Sequence, residues 1–128
     1  MALLSLLVYC TRDKGLSPRD AIALDRELIL VQPGQFGPVI SDEVTGTGGF
    51  SRPSAGRRVT VAAAAVRPVV EPIVRAALLE AGFSPTGPYL YKTMINHREA
   101  WLIPYFAGTR SASGFAGTEI VFQFTLPG

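Results

Sequence analysis

The side chains in this sequence that could do chemistry are few and far apart. His97 is the only histidine, and it follows Asn96 in a polar turn with Arg98 and Glu99. Cys10 is the only cysteine, and it ends an apolar run, which is typical of a buried and unreactive thiol. Catalysis and metal binding need several such groups held close together. We therefore expect no catalytic residues, no metal site and no cofactor in this protein.

A glycine-rich segment provides the alternative hypothesis, a ligand site. Residues 46–58 contain the run Gly-Thr-Gly-Gly, whose backbone N–H groups could face an anion, and they include Arg52, Arg57 and Arg58. No Lys-Ser or Lys-Thr pair follows the glycines, and no helix is predicted directly after them. The alternative to a structural role is therefore a small-ligand-binding domain or small enzyme that closes this loop on an anion.

Length and composition predict a single domain, residues 1–128, with an apolar surface. The chain is long enough to bury one core. Hydrophobic residues make up 48% of it and charged residues 17%, and so apolar a surface often contacts another subunit. The net charge of +2 is too small to predict binding to nucleic acid. The opening run MALLSLLVYC is too short to cross a membrane, so we expect no membrane partner.

The beginning of the chain predicts a strand and then a helix. The apolar run Leu3–Cys10 has the length of a buried strand. A capping box then begins a helix, formed by Ser17, Pro18 and Asp20. We extend this helix to Val31. The alternative is a helix that ends near Glu27 and a strand over residues 28–32.

The centre of the chain predicts two strands and a second helix. β-branched residues predict strands over Val39–Val44 and over residues 57–66. The helix begins near Glu71, with Pro72 in its first turn, and ends at Gly82. Its apolar stripe consists of Ile73, Val74, Ala77, Leu78 and Ala81.

The last third of the chain predicts a hairpin and a closing strand. Tyr89–Ile95 and Ala100–Ala107 flank the polar turn Asn96–Glu99. Pro104 has no N–H to donate, so the second strand should lie at a sheet edge or carry a bulge there. Alternating apolar residues predict the last strand over Glu119–Leu126.

The predicted order of elements is β-α-β-β-α-β-β-β. Its first six elements match the βαββαβ order of a ferredoxin-like sandwich, with additional strands at the C-terminus. We therefore predict an α+β fold in which a mostly antiparallel sheet carries both helices on one face. Flexible loops are predicted at 45–56 and 108–118, because both segments are longer than a hairpin needs.

The two predicted loops share a composition. Each contains a Gly-Thr pair, one phenylalanine, one arginine and two serines. The aromatic ring in such a segment either packs on its own domain or anchors the loop on a neighbouring subunit, with the arginine as a polar contact. In the second case, the candidate subunit-interface residues are Phe50, Arg52, Arg57, Arg58, Arg110 and Phe115.

From Arg57 onward, the predicted strand, helix, hairpin and closing strand resemble the small tail-terminator and head–tail connector proteins of tailed phages. Those proteins are short single-domain α+β subunits that form rings and hold their neighbours through flexible loops. The resemblance implies a non-enzymatic assembly subunit of a ring or tube, found in a virion or in the cytoplasm. Its partners would be further copies of itself and other structural proteins. No residue motif accompanies the resemblance, so it implies no residue roles.

Overall fold

The computed structural model describes residues 17–45, 55–110 and 116–127, with the backbone alone for residues 109, 110 and 116. The strand predicted over Leu3–Cys10 lies outside these ranges. The helices within them are α1, Pro18–Val31, and α2, Arg67–Glu80, and a short 3-10 turn covers Pro33–Phe36. The strands within them are β1 Val39–Thr45, β2 Ala55–Ala63, β3 Ser84–Thr86, β4 Leu90–Ile95, β5 Arg98–Arg110 and β6 Ala116–Leu126.

The described strands form one antiparallel sheet in the order β1-β2-β6-β5-β4-β3. The predicted α+β class, with an antiparallel sheet and two helices, is therefore confirmed. The predicted ferredoxin-like order is not confirmed, because β2 pairs along its whole length with the last strand, β6. The order of elements along a chain does not determine which strands pair when many residues separate them.

Helix α1 begins and ends with local signals. The Ser17 hydroxyl accepts a hydrogen bond of 3.1 Å from the N–H of Asp20, which is the predicted cap. The helix continues to Val31, so the longer of the two predicted helices is confirmed. Gln32 then takes the left-handed conformation, with φ of 49°, and its N–H donates to the Leu28 carbonyl. A residue other than glycine therefore ends this helix.

Helix α2 begins at Arg67 rather than near Glu71, which corrects the prediction. Pro68 occupies its first turn, where the missing N–H has no partner to lose, and Pro72 lies inside the helix. The predicted apolar stripe is wrong at Ile73, which is 54% exposed. Neighbouring residues of a helix point about 100° apart. Val74 and Leu78 of the predicted stripe are buried, and Val70 joins them in the core.

The predicted hairpin is confirmed between β4 and β5. Ile95 pairs with Arg98, and the two residues between them, Asn96 and His97, have φ of 51° and 66°. Two successive residues with positive φ form a type I′ turn, in which asparagine is favoured. His97 is exposed at this turn.

Pro104 lies where β5 has a strand on one side only. The pairing of β5 with β4 ends at Leu102, and Pro104 lies opposite Phe122 of β6. The prediction of an edge strand or a bulge is therefore wrong, because β5 lies between β6 and β4. The proline is instead found beyond the end of the β4 pairing, where β5 has no second neighbour. The short strand β3 is absent from the predicted elements, because a proline at the centre of three residues is typical of a turn.

The strands extend further into the predicted loops than the composition indicates. β1 continues through Thr45 and β2 begins at Ala55, while β5 continues to Arg110 and β6 begins at Ala116. Backbone pairing continues at these ends, where Arg110 lies opposite Ala116. Glycine, alanine and threonine at strand ends resemble loop composition, although ladder pairing holds them in the sheet.

One hydrophobic core joins the sheet to both helices. Alternate residues of β6 are completely buried: Thr118, Ile120, Phe122, Phe124 and Leu126. The apolar members of this row belong to one cluster with Leu24 of α1 and Val74 of α2.

Candidate interaction surface

Strand β1 is the longer of the two edges of the described sheet. It has seven residues, whereas β3 at the other edge has three and includes a proline. Val39 and Ile40 at its start are 50% and 54% exposed. The register with β2 shifts between Val39 and Ser41, which leaves Ile40 in an irregularity of the ladder. An open edge presents backbone donors and acceptors with which another strand can pair.

Arg57, one of the predicted interface residues, forms its hydrogen bonds within the subunit. Its Nε and Nη2 atoms each donate a 2.8 Å hydrogen bond to Asp42 of β1, and Nη1 donates a 2.7 Å bond to Asp25 of α1. The hydrogen bonds to Asp42 are the largest cause of a pKa of Arg57 above its ordinary value. This side chain therefore joins β1, β2 and α1, and each of its three nitrogen atoms already donates to a carboxylate.

Arg58 is the more accessible of the two neighbouring arginines. Successive residues of a strand point to opposite faces, so Arg58 does not share the surroundings of Arg57. Its Nε donates a 3.1 Å bond to the Gln123 amide, and Nη1 lies 3.7 Å from the Glu43 carboxylate. The Arg58 side chain is 49% exposed, so it is available to a partner.

The other predicted interface residues are placed only in part. Arg110 ends β5, where its backbone pairs with Ala116. Phe50, Arg52 and Phe115 lie outside the described residues. Of the six predicted interface residues, the structure therefore describes the side chains of Arg57 and Arg58, which lie on opposite faces of β2 next to β1.

The outward side of α2 is apolar, which sequence reasoning missed. Its large exposed residues are Val69, Ile73 and Leu79, each 53–54% exposed, and Pro72 and Ala76 lie between them. With Glu80 at the end, these residues are called the α2 ridge. A helix with apolar residues on both its inner and its outer side is typically packed against other protein on both sides. The spacing 69, 72, 76 and 79 is present in the sequence, but the predicted stripe begins only at Ile73 and assigns that residue to the core.

A groove of about 330 Å³ lies beside α1 and the turn between β4 and β5. Its lining, called the α1 groove, consists of Arg26, Ile29, Leu30, Met94, Ile95 and Asn96. Ile29 is 66% and Met94 62% exposed, so the groove opens widely to solvent. The Arg26 guanidinium donates a 3.3 Å hydrogen bond to the Asn96 side-chain oxygen, which joins the helix to the turn.

Glu27 is a buried carboxyl group on α1. It is completely buried, and among the described residues neither carboxyl oxygen has a hydrogen-bond partner. Burial raises the pKa of Glu27 to about 9, so the group is neutral at pH 7. Its spacing from Leu24 and Val31 places it on the buried face of the helix. The helix predicted to Val31 contains this spacing, but a glutamate is ordinarily expected to face solvent.

Conventional sites are absent from the part of the chain that the structure describes. Within residues 17–45, 55–110 and 116–127, no three His, Cys, Asp or Glu side chains are placed to hold one metal ion. Of the helices in these ranges, neither combines the length and the apolar character that crossing a membrane requires. Among the described residues, the exposed apolar surfaces include the β1 edge, the α2 ridge and the α1 groove.

Comparison with known proteins does not assign a family. No protein-family model, curated protein or solved structure matches this chain. The function proposed below therefore depends on the surfaces of the described residues.

Proposed function

We propose that this protein is a non-enzymatic structural subunit that assembles into a ring or tube, such as a tail or head–tail connector component of a tailed phage. The observation that carries the proposal is the amount of apolar surface left uncovered. Twelve large apolar side chains of the described residues are at least 42% exposed. Single exposed apolar residues are ordinary, but eight of these twelve group on β1, on the α2 ridge and around the α1 groove. Grouped apolar surface marks contact sites.

In this proposal the β1 edge and the two loops hold neighbouring subunits. We also propose that both helices cover the same face of the sheet, which leaves β1 and the other face for neighbours. The shared core cluster of Leu24, Val74 and Phe122 supports this placement. The partners would be further copies of the chain and other structural proteins of a virion, with assembly in the host cytoplasm.

The anion-binding alternative has less support. Arg57 directs its donors at Asp42 and Asp25, and Arg58 lies near Glu43. An anion that binds at this end of the loop would compete with these carboxylates for the arginine N–H donors. No observation among the described residues favours that function over assembly.

The experiment that tests the β1 edge compares two lysine variants. Ile40 of β1 is 54% exposed, and Tyr89, which precedes β4 and belongs to none of the three surfaces, is 66% exposed. We expect Ile40→Lys to shift the sedimentation profile toward the monomer and Tyr89→Lys to leave it unchanged. Equal effects of the two substitutions, or none, would contradict a role of β1.

A deletion in the first loop separates assembly from ligand binding. Residues 47–53 can be removed without touching Thr45 of β1 or Ala55 of β2, which is buried. The assembly proposal predicts lost oligomers and an intact folded monomer. The ligand alternative predicts an unchanged mass together with lost binding of inorganic phosphate.

A further inference from the structure

We infer that the α2 ridge of one copy docks into the α1 groove of the next copy, as a repeated head-to-tail contact that acts together with the β1 edge in building the ring. This inference rests on the proposed function and names a further contact of the same assembly. The groove and the ridge belong to different elements and share no residue. Contacts between two different surfaces of one chain produce rings when the rotation closes and open filaments when it does not.

The openness of the groove indicates a protein partner rather than a small molecule. Ile29 and Met94 line the groove and are still about two-thirds exposed. A small molecule placed between them would remain mostly in water, whereas small-molecule sites bury most of their ligand. An apolar groove of this kind is a usual receptor for one face of an amphipathic helix.

The spacing of the ridge fits that kind of receptor. Val69, Ile73 and Ala76 follow at intervals of four and three residues, and Leu79 follows after three more. Side chains at these intervals project from one side of a helix, in the pattern by which helices anchor in grooves. Ala76 lies at the middle of this row, where a small side chain allows close approach of the helix backbone.

Opposite charges favour a contact between the groove and the ridge. Arg26 is the charged residue of the groove lining, and its guanidinium donates a hydrogen bond to the neutral amide of Asn96. Glu80 is the charged residue of the ridge, and it is exposed. Among the described residues neither of the two forms an ion pair. Groove against groove would bring together two arginines, and ridge against ridge would offer Glu80 no cation, because the ridge contains none. Groove against ridge brings opposite charges together.

Reversing each charge tests the contact. Arg26→Glu gives a chain whose groove and ridge are both negative, and Glu80→Arg gives a chain in which both are positive. We expect each variant alone to raise the apparent dissociation constant of the assembly by about tenfold or more. An equimolar mixture should recover assembly, because each groove then meets a ridge of opposite charge on the other variant. Sedimentation measures the assembly, and circular dichroism checks that both exposed substitutions leave the fold intact.

Two outcomes would overturn the inference. Single variants that assemble like the wild type would show that neither charge lies in a subunit contact. Single variants that stay monomeric, alone and mixed, would show that Arg26 and Glu80 do not face each other. Either result with an oligomeric wild type leaves the proposed function standing, whereas a wild type that is monomeric at every concentration contradicts both.

Discussion

Arg57 on β2 donates two parallel hydrogen bonds of 2.8 Å to the two carboxylate oxygens of Asp42 on β1. A third bond, from Nη1 to Asp25 of α1, measures 2.7 Å. One side chain thus attaches both the edge strand and a helix to β2. The residue that the sequence offered as an interface candidate therefore has a demonstrable structural role within the subunit.

Replacing Arg57 should destabilise the monomer. In Arg57→Gln, Asp42 and Asp25 lose charge-assisted hydrogen bonds in a partly buried setting, and the Arg57 side chain itself is 22% exposed. We expect the free energy of unfolding to fall by about 1–3 kcal/mol, measured by urea denaturation.

The neighbouring arginine provides the control for that variant. Arg58 is half exposed, and its carboxylate partner Glu43 lies 3.7 Å away. Arg58→Gln should change the free energy of unfolding by no more than about 0.5 kcal/mol. Equal losses for the two variants would contradict the structural role assigned to Arg57.

Stability should depend on pH through Glu27. The pKa of this group rises from the ordinary 4.5 to about 9 on folding, because burial disfavours the charged form. The unfolded chain loses this proton above pH 4.5 while the folded chain keeps it up to about pH 9. The contribution of Glu27 to stability is therefore complete below pH 4.5 and is lost progressively as the pH rises toward 9.

Glu27→Gln removes this titration. The free energy of unfolding of the variant, minus that of the wild type, should increase between pH 5 and pH 9 by about 1 kcal/mol per pH unit. Ion pairs such as Asp20 with Arg98 are common to both proteins, so the difference isolates Glu27. Denaturation at pH 5, 7 and 9 measures it, and a difference that stays constant would show that Glu27 does not have the raised pKa.

A close approach of two backbone segments should make Gly37 irreplaceable. A Cβ atom at Gly37 would overlap the backbone carbonyl oxygen of Ala62 on β2. Because backbone must move to accept it, Gly37→Ala should lower the free energy of unfolding by about 1–3 kcal/mol. At Gly34, three residues earlier, the nearest atom to such a Cβ is the Val39 methyl at 3.9 Å. Gly34→Ala should therefore be much milder, and a comparable loss would contradict the close approach.

Elements with local signals were predictable from the sequence. The cap at Ser17 involves residues only three apart in the sequence, so the beginning of α1 was predicted correctly. The turn at Asn96 and His97 was readable because the β4–β5 hairpin joins neighbouring segments. Each of these features depends on residues close together in the chain.

Features that depend on distant pairing were not predictable. The pairing of Val59 with Phe122 sets the sheet order, and nothing near either residue specifies it. The contacts of Arg57 with Asp25 and Asp42 require that register together with the position of α1. The outward apolar side of α2 was not predicted, because Pro68 and Pro72 favour a later start of the helix and so leave Val69 outside it.

The mass of the wild-type protein in solution tests the central claim most directly. Light scattering across a concentration series measures it without any variant or label. The proposal of a ring or tube subunit predicts a species several times the mass of one chain, or a mass that grows with concentration. A mass equal to one chain at every concentration would contradict self-assembly, and with it the role proposed for the exposed apolar surfaces.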